Sequence, residues 1–186
     1  MTTPTIQQLL TRASMPKLIE PGPSAEELQQ ILHAGLLAPD HAYLRPTRLS
    51  IVSGDGLQRL GDLFAQAAMA EDTEATAEQL EKIRLKPLRA PLIIVAGCRV
   101  KTHHKVPEIE QVGSTAAAVS LMQVAIDALG YGSMWRTGGM AYSGIVKRAF
   151  GLSSQDHLMG FLYVGTPVKE PKKRADVLWD ERVSTF

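Results

Sequence analysis

The 186 residues are enough for one domain of ordinary size, and 45% hydrophobic with 21% charged residues is the balance of a chain that buries a core, not of a disordered one. Twenty basic residues against nineteen acidic leave a formal net charge of +1, which excludes the broad positive field behind non-specific nucleic-acid binding. The N-terminal run lacks the charged-then-apolar order of a secretory leader, and the longest apolar stretch is broken by Ser120, Gln123 and Asp127, so no membrane span is expected. The single cysteine, Cys98, closes the apolar run from Leu92 and reads as a core thiol, in keeping with a cytoplasmic protein.

Ile6, Leu9, Leu10 and Ala13 recur at helical spacing and predict a short opening helix that stops at Met15-Pro16. Ser24 with Glu27 three residues on forms a capping box, after which Leu28, Ile31, Leu32 and Leu36 line one face of a second helix ending near Ala38. Leu49 to Ser53 reads as a strand, the turn Gly54-Asp-Gly56 closes it, and Leu57, Leu60, Leu63, Phe64 and Ala67 return to helical spacing. A weaker capping pair, Thr76 and Gln79, opens a further helix, which Pro87 and Pro91 separate from an apolar strand at 92–97.

A polar loop from Lys101 to Pro107 follows. From Glu108 to Leu129 the pattern is apolar around most of the helical circumference, which predicts a central helix buried on nearly every side and capped by Gly130. The glycine-rich stretch 130–139 leads into a short helix carrying Ile145, Val146, Ala149 and Phe150, and Leu158 to Gly165 is the last clear strand. Val177, Leu178, Trp179, Val183 and Phe186 are too apolar for a free end and are expected to pack on something, a partner subunit included. With no repeat and no long linker, a single α+β domain over residues 1–186 is expected.

Several chemistries lose support at once. There is no G-x-G-x-x-G after a strand, no P-loop, no H-E-x-x-H, no Cys-x-x-Cys pair and no G-x-S-x-G, and no metal site is expected. Adjacent His103 and His104 suit a solvated loop better than shared metal ligation, and His157 beside Asp156 reads as surface. Three segments are harder to explain as packing. Arg12 and Ser14 could grip a phosphate with a guanidinium fork and a hydroxyl, although an exposed arginine and a helix-ending serine would explain them too. Ala38-Pro-Asp-His41 sets a polar pair after a helix, where a turn with Asp40 bonding amides is the plainer reading. Ser133-Met-Trp-Arg-Thr-Gly138 is the third.

Together with Arg89-Ala-Pro-Leu-Ile-Ile94, His104-Lys-Val-Pro107 and Gly160-Phe-Leu-Tyr-Val-Gly-Thr-Pro167, these segments resemble the nitroreductase family, most closely its compact subgroup. The resemblance implies an FMN-dependent nitroreductase-like fold: a mixed central sheet flanked by helices, in an intertwined homodimer with FMN at the interface. It implies that residues Arg12, Ala13 and Ser14 meet the FMN phosphate or ribityl chain, and that the Leu37 and His41 positions reach the flavin from the other subunit. It further implies that Trp135, Arg136 and Thr137 border the ring, that the amide at Thr137 or Gly138 approaches N5, and that Arg174 in the basic tail is a second phosphate ligand. This chain departs from the pattern at Ala13 and Leu37, where relatives commonly carry arginine, and at Arg45-Pro-Thr47, where they carry Gln-Pro-Trp.

The residues themselves agree with such a site, since FMN needs cations for its phosphate, donors along one ring edge and an apolar surface for its face. Flavin N5 handles hydride, so no protein nucleophile or metal is required; Arg136 is the candidate catalytic residue, stabilising negative charge on reduced flavin. The expected activity is therefore transfer from NAD(P)H to a nitro, quinone or similar electron-poor small molecule in a ping-pong cycle, because no separate dinucleotide fingerprint is present. A flavin-binding or interaction dimer with little turnover is the alternative.

Overall fold

A computed structural model describes residues 3–170 and 182–186; Arg174 and the apolar residues Val177, Leu178 and Trp179 lie outside the described residues. The chain opens with helix α1 (Pro4–Thr11), capped by the Thr3 hydroxyl, then a two-residue strand β1 (Leu18–Ile19). Helix α2 (Ala25–Leu36) begins at the capping box read from Ser24 and Glu27: the Glu27 amide donates to Ser24 Oγ at 3.3 Å while Glu27 Oε2 accepts the Ser24 amide at 2.8 Å. Strand β2 (Thr47–Ser53), helix α3 (Asp55–Glu71) and helix α4 (Ala77–Arg84) follow, the last opened by a reciprocal Thr76–Gln79 box. A 3-10 turn at Pro87–Arg89 leads into β3 (Leu92–Cys98).

The long helix α5 (Glu108–Ala128) ends at Gly130, whose φ of 84° closes a Schellman turn: Tyr131 N–H donates to the Ile126 carbonyl and Gly130 N–H to that of Asp127, both at 3.0 Å. Beyond it lie β4 (Gly132–Arg136), the short helices α6 (Gly139–Tyr142) and α7 (Gly144–Ala149), and β5 (His157–Pro167). The expected α+β architecture is therefore present.

Among the described residues the five strands form one sheet in the order β1-β5-β3-β2, with β4 also paired to β5. Every strand pairing is antiparallel, and a lone bridge between Ser14 and Ser133 is parallel. The hub is β5, which holds β3, β4 and β1. Register fixes two faces. Ile93, Tyr163 and Met134 lie abreast, as do Val95, Phe161 and Arg136, and this face packs under α3 and α7; Phe64 meets Phe161 edge-on at 5.0 Å. Leu92, Ile94, Leu162 and Val164 point the other way, against Ile31 of α2 and Val119, Met122 and Ile126 of α5. Covering both faces leaves β3 buried at all seven positions, which is why it reads as an unbroken apolar run. Burial also pushes the Cys98 thiol up, as expected of an unreactive core cysteine.

The structure adds detail to two expectations and corrects a third. Residues 132–136 of the glycine-rich stretch form strand β4, and the expected short helix carrying Ile145 to Ala149 is α7, preceded by an additional helix, α6, with Ser143 between them. Helix α5 is buried over much of its surface, and Ile109, Ser120, Leu121 and Ala128 are among the positions that stay exposed within the chain. Asp156 is not a surface residue. It is buried, its Oδ2 accepting the Ser153 amide at 2.7 Å and its Oδ1 that of Val100 at 2.8 Å, so it ties the start of β5 to the end of β3.

Burial opposes ionisation of Asp156, but the Ser153 and Val100 hydrogen bonds and nearby Arg99 outweigh it and hold the carboxyl below its ordinary value. A depressed folded-state pKa gives stabilisation that is full above the unfolded value and lost as pH falls through the folded one. Asp156→Asn should therefore lower stability by about 1 to 2 kcal/mol at neutral pH, and the deficit should shrink below about pH 4. Urea denaturation of both proteins across pH measures this; an undiminished deficit in acid would assign the loss to packing instead.

Candidate functional site

The sheet face under α3 ends in a cavity of about 490 Å³. Its floor is the β4–β5 pair, where Met134, Arg136, Phe161 and Tyr163 share a face, and Phe64 of α3 and Met140 of α6 add apolar wall. Trp135, Thr137, Gly138 and Gly139 form a rim at the end of β4. Four of the sequence-predicted residues, Trp135, Arg136, Thr137 and Gly138, are thus together. A side-chain carbon built at Gly138 or Gly139 would meet no atom within 4 Å, so the backbone there faces open space that a flat ligand can approach.

Two constraints fix this rim. Trp135 Nε1 donates to the Met159 carbonyl at 2.8 Å, and Gly160 lies directly beneath, with φ of 124°. A Cβ at Gly160 would stand 2.5 Å from the Arg136 carbonyl oxygen and 2.9 Å from Trp135 Nε1. Only glycine satisfies both the dihedral and the space.

Arg136 is half-buried. Its guanidinium carbon lies 5.4 Å from the centre of the Tyr163 ring, its Nη2 makes a long 3.5 Å contact to the Pro16 carbonyl, and its Nε is buried with no acceptor among the described residues. Burial raises the Tyr163 phenol pKa, while Arg136 and Arg89 pull it back down.

The Arg12–Ser14 segment runs alongside. Met15 N–H donates to the Ser133 carbonyl at 2.8 Å next to the Ser14–Ser133 bridge, which lays residues 12–16 along β4. Arg12 caps α1 and is half-buried, Ala13 is half-buried and Ser14 exposed. Gln8 Nε2 reaches Asp127 Oδ2 at 3.3 Å, fastening α1 to the C-terminal end of α5.

Leu37 and His41 are elsewhere. Leu37 caps α2 and is 70% exposed, and His41 Nδ1 lies 2.6 Å from Glu110 Oε2 in the first turn of α5. At 1.5 Å rise per residue, Glu110 and Asp127 are separated by about 25 Å of helix. Within one chain His41 and the Arg12 segment sit toward opposite ends of α5, and Leu37 follows Gly35, which packs on the middle of that helix at Ala118 and Met122. Asp40 accepts the Arg45 amide, the turn expected from sequence, and the loop carries Ala42, Tyr43 and Arg45 at positive φ. Arg48 Nη1 is taken up by the carbonyls of Arg45 and Thr47, each at 2.9 Å.

Sequence reading overlooked Lys86 and Arg89 as site residues, although both line the cavity. The available signal was a pair of cations flanking Pro87 immediately before a strand buried at every position.

The family model described as "Nitroreductase family" matches residues 18–166. The chain belongs to the nitroreductase family. It is 41% identical over 162 residues to "Putative NAD(P)H nitroreductase YdjA" of Escherichia coli (strain K12), an alignment covering 87% of each chain. Among solved structures, this nitroreductase-family chain is similar to a nitroreductase-like family protein from Bacillus cereus, with a TM-score of 0.87 and 20% identity over 100% of this chain and 97% of that one. It is also similar to a Desulfovibrio desulfuricans protein described as "a putative nitroreductase in complex with fmn", with a TM-score of 0.75 and 20% identity over 100% and 98% of the two chains.

Because the rim depends on Gly160, Gly160→Ala should cost about 2 to 4 kcal/mol, from the forced separation of β4 and β5 plus the left-handed dihedral. Urea unfolding followed by tryptophan fluorescence measures it, and a midpoint equal to that of the unaltered protein would refute the close packing at this position.

Proposed function

We propose that the chain is an FMN-dependent oxidoreductase, a homodimer in the cytoplasm, that uses NAD(P)H to reduce a nitro compound, quinone or similar electron-poor small molecule. The observation that carries the reading is the alignment of the Arg12–Ser14 segment along β4, whose end opens at Gly138 and Gly139 onto a cavity with aromatic walls and cationic edges. These residues fit the cofactor: a phosphate suits the guanidinium and hydroxyl of Arg12 and Ser14, and a planar ring suits the side-chain-free rim. FMN, when bound, supplies a two-electron carrier that accepts and returns hydride.

The chain's own part is binding and electrostatics. Arg12 and Ser14, with Ala13 between them unable to share the load, hold the phosphate; Trp135 and Thr137 border the ring; the Thr137 or Gly138 amide faces its edge. Arg136, whose buried Nε has no acceptor among the described residues, offers a donor and positive charge where negative charge accumulates. His41, lying at the far end of α5, and Leu37 are supplied by the second copy, which brings them to the Arg12 segment.

The surface supports the assembly. Helix α1 has only eight residues, too few to be stable alone, yet buries none of them within the chain and exposes Ile6, Leu9 and Leu10. The exposed Ile109 and Leu121 of α5 extend the uncovered apolar surface. An obligate homodimer would cover both. Arg174 is proposed as a second phosphate ligand.

Cofactor released by heat should be FMN, not FAD, and Arg12→Ala should weaken FMN binding by about 10- to 150-fold. Fluorescence titration of the folded variant checks this, and an unchanged dissociation constant would move phosphate recognition away from Arg12. Because one open cavity serves both substrates, steady-state kinetics should give parallel double-reciprocal lines. Intersecting lines would require reductant and acceptor to be bound together, contrary to a ping-pong cycle.

A further inference from the structure

We infer that Lys86 and Arg89 make this cavity selective for acceptors that carry a negative charge, an electron-poor aromatic ring bearing a carboxylate being the simplest form. The inference rests on the oxidoreductase reading above and adds a substrate class to it.

Three cations, Lys86, Arg89 and Arg136, line the cavity, and none of its lining residues is an aspartate or glutamate. Neither Lys86 nor Arg89 has a salt bridge among the described residues. Their neighbour Arg84 has two, to Asp62 at 2.8 Å and Glu81 at 2.7 Å, so the chain neutralises the outward cation and leaves the cavity cations unbalanced. Like charges converging on a partly enclosed space raise its potential and favour an entering anion.

The pair is also held in place. Pro87 is buried, and the 3-10 turn it starts fixes the separation of Lys86 from Arg89. The turn follows on α4, whose last residue is set against α3 at Gly61, where a Cβ would lie 2.2 Å from the Arg84 carbonyl oxygen. Arg89 and Arg136 both act electrostatically on Tyr163, whose hydroxyl has no hydrogen bond to another described residue and is available to donate. Aromatic walls and a cationic, hydroxyl-bearing edge match a planar body with an anionic substituent. With Arg12 and Ser14 assigned to the cofactor phosphate and Arg136 to the flavin, Lys86 and Arg89 are the two lining cations left without an assigned partner.

The test uses the FMN-loaded protein with Lys86→Gln and Arg89→Gln. Benzoate and benzamide, equal in shape but not charge, are titrated without reductant and followed by flavin absorbance; 4-nitrobenzoate and 4-nitrobenzamide are compared as acceptors. The unaltered protein should favour the carboxylate by about tenfold in binding and in kcat/KM. The advantage should fall as salt is raised. Each variant should lose most of that preference, in binding and in kcat/KM, while its affinity for FMN stays within about twofold. Equal treatment of the charged and neutral compounds would overturn the inference. So would variants that lose FMN affinity in step with carboxylate preference, since Lys86 and Arg89 would then belong to the cofactor. Should the protein hold no FMN, or hold it and reduce no acceptor, the oxidoreductase reading fails on its own, and calorimetry of benzoate against benzamide still decides the charge preference.

Discussion

Gly160 and the carbonyl of Arg136 lie so close that a single methyl group could not be placed between them. Strand β5 carries that glycine at the point where β4 turns out of the sheet, so the approach sets how far β4 runs and where the rim at Thr137 to Gly139 begins. Everything else at the site hangs on β4. The Arg12–Ser14 segment is aligned by its bridge to Ser133, Trp135 is anchored on Met159, and Arg136 is presented beside Phe161 and over Tyr163. Since β5 also pairs with the fully buried β3, the rim is rigidly referred to the hydrophobic core on both faces of the sheet.

Where the sequence carries a local, stereochemical signal, fold and sequence agree closely. The capping boxes at Ser24 and Thr76 and the left-handed Gly130 act within one turn of backbone, and no distant contact can cancel them. Strand β4 was hidden for the converse reason: Gly130, Gly132, Gly138 and Gly139 punctuate it as a loop would, and only pairing with β5, distant in sequence, makes it a strand. Strand β1 has two residues and no periodicity to detect. Asp156 is hidden in the same way, because a carboxylate satisfied by two amides, one of them more than fifty residues away, looks in sequence like any acidic surface residue.

The candidate site was legible in the same proportion. Trp135 to Gly138 are contiguous, and the structure brings them to one rim together with the residues that follow. Arg12 and Ser14 reach β4 through backbone hydrogen bonding that no side-chain pattern announces. Lys86 and Arg89 belong to a turn whose evident role is to separate a helix from a strand, and their relation to the cavity exists only after α4 is docked on α3 at Gly61. Leu37 and His41 are a different case: the family resemblance proposes them, but the chain alone holds His41 at the other end of α5 from the Arg12 segment.

That separation explains a feature of α5 which hydrophobic pattern alone misstates. A helix apolar around its circumference can be enclosed by its own chain or left open along one side, and composition does not distinguish the two. Here polar contacts hold both ends, with Glu108 and Glu110 bound to His157 and His41 at the start and Asp127 to Gln8 near the finish, and Thr115 and Gln123 add contacts to Thr47 and Ser133 between them, while Ile109 and Leu121 stay exposed. Hydrogen bonds are directional and fix the helix lengthwise; the apolar face between them is not directional and does not specify what covers it. A chain that fixes its long helix so firmly at both ends, yet leaves apolar side chains uncovered along it, has ordered one half of a surface whose burial needs a rigid, matching face. In the homodimer proposed above, a second copy carrying the same helix held by the same end contacts would offer such a face without any further ordering cost in α5 itself.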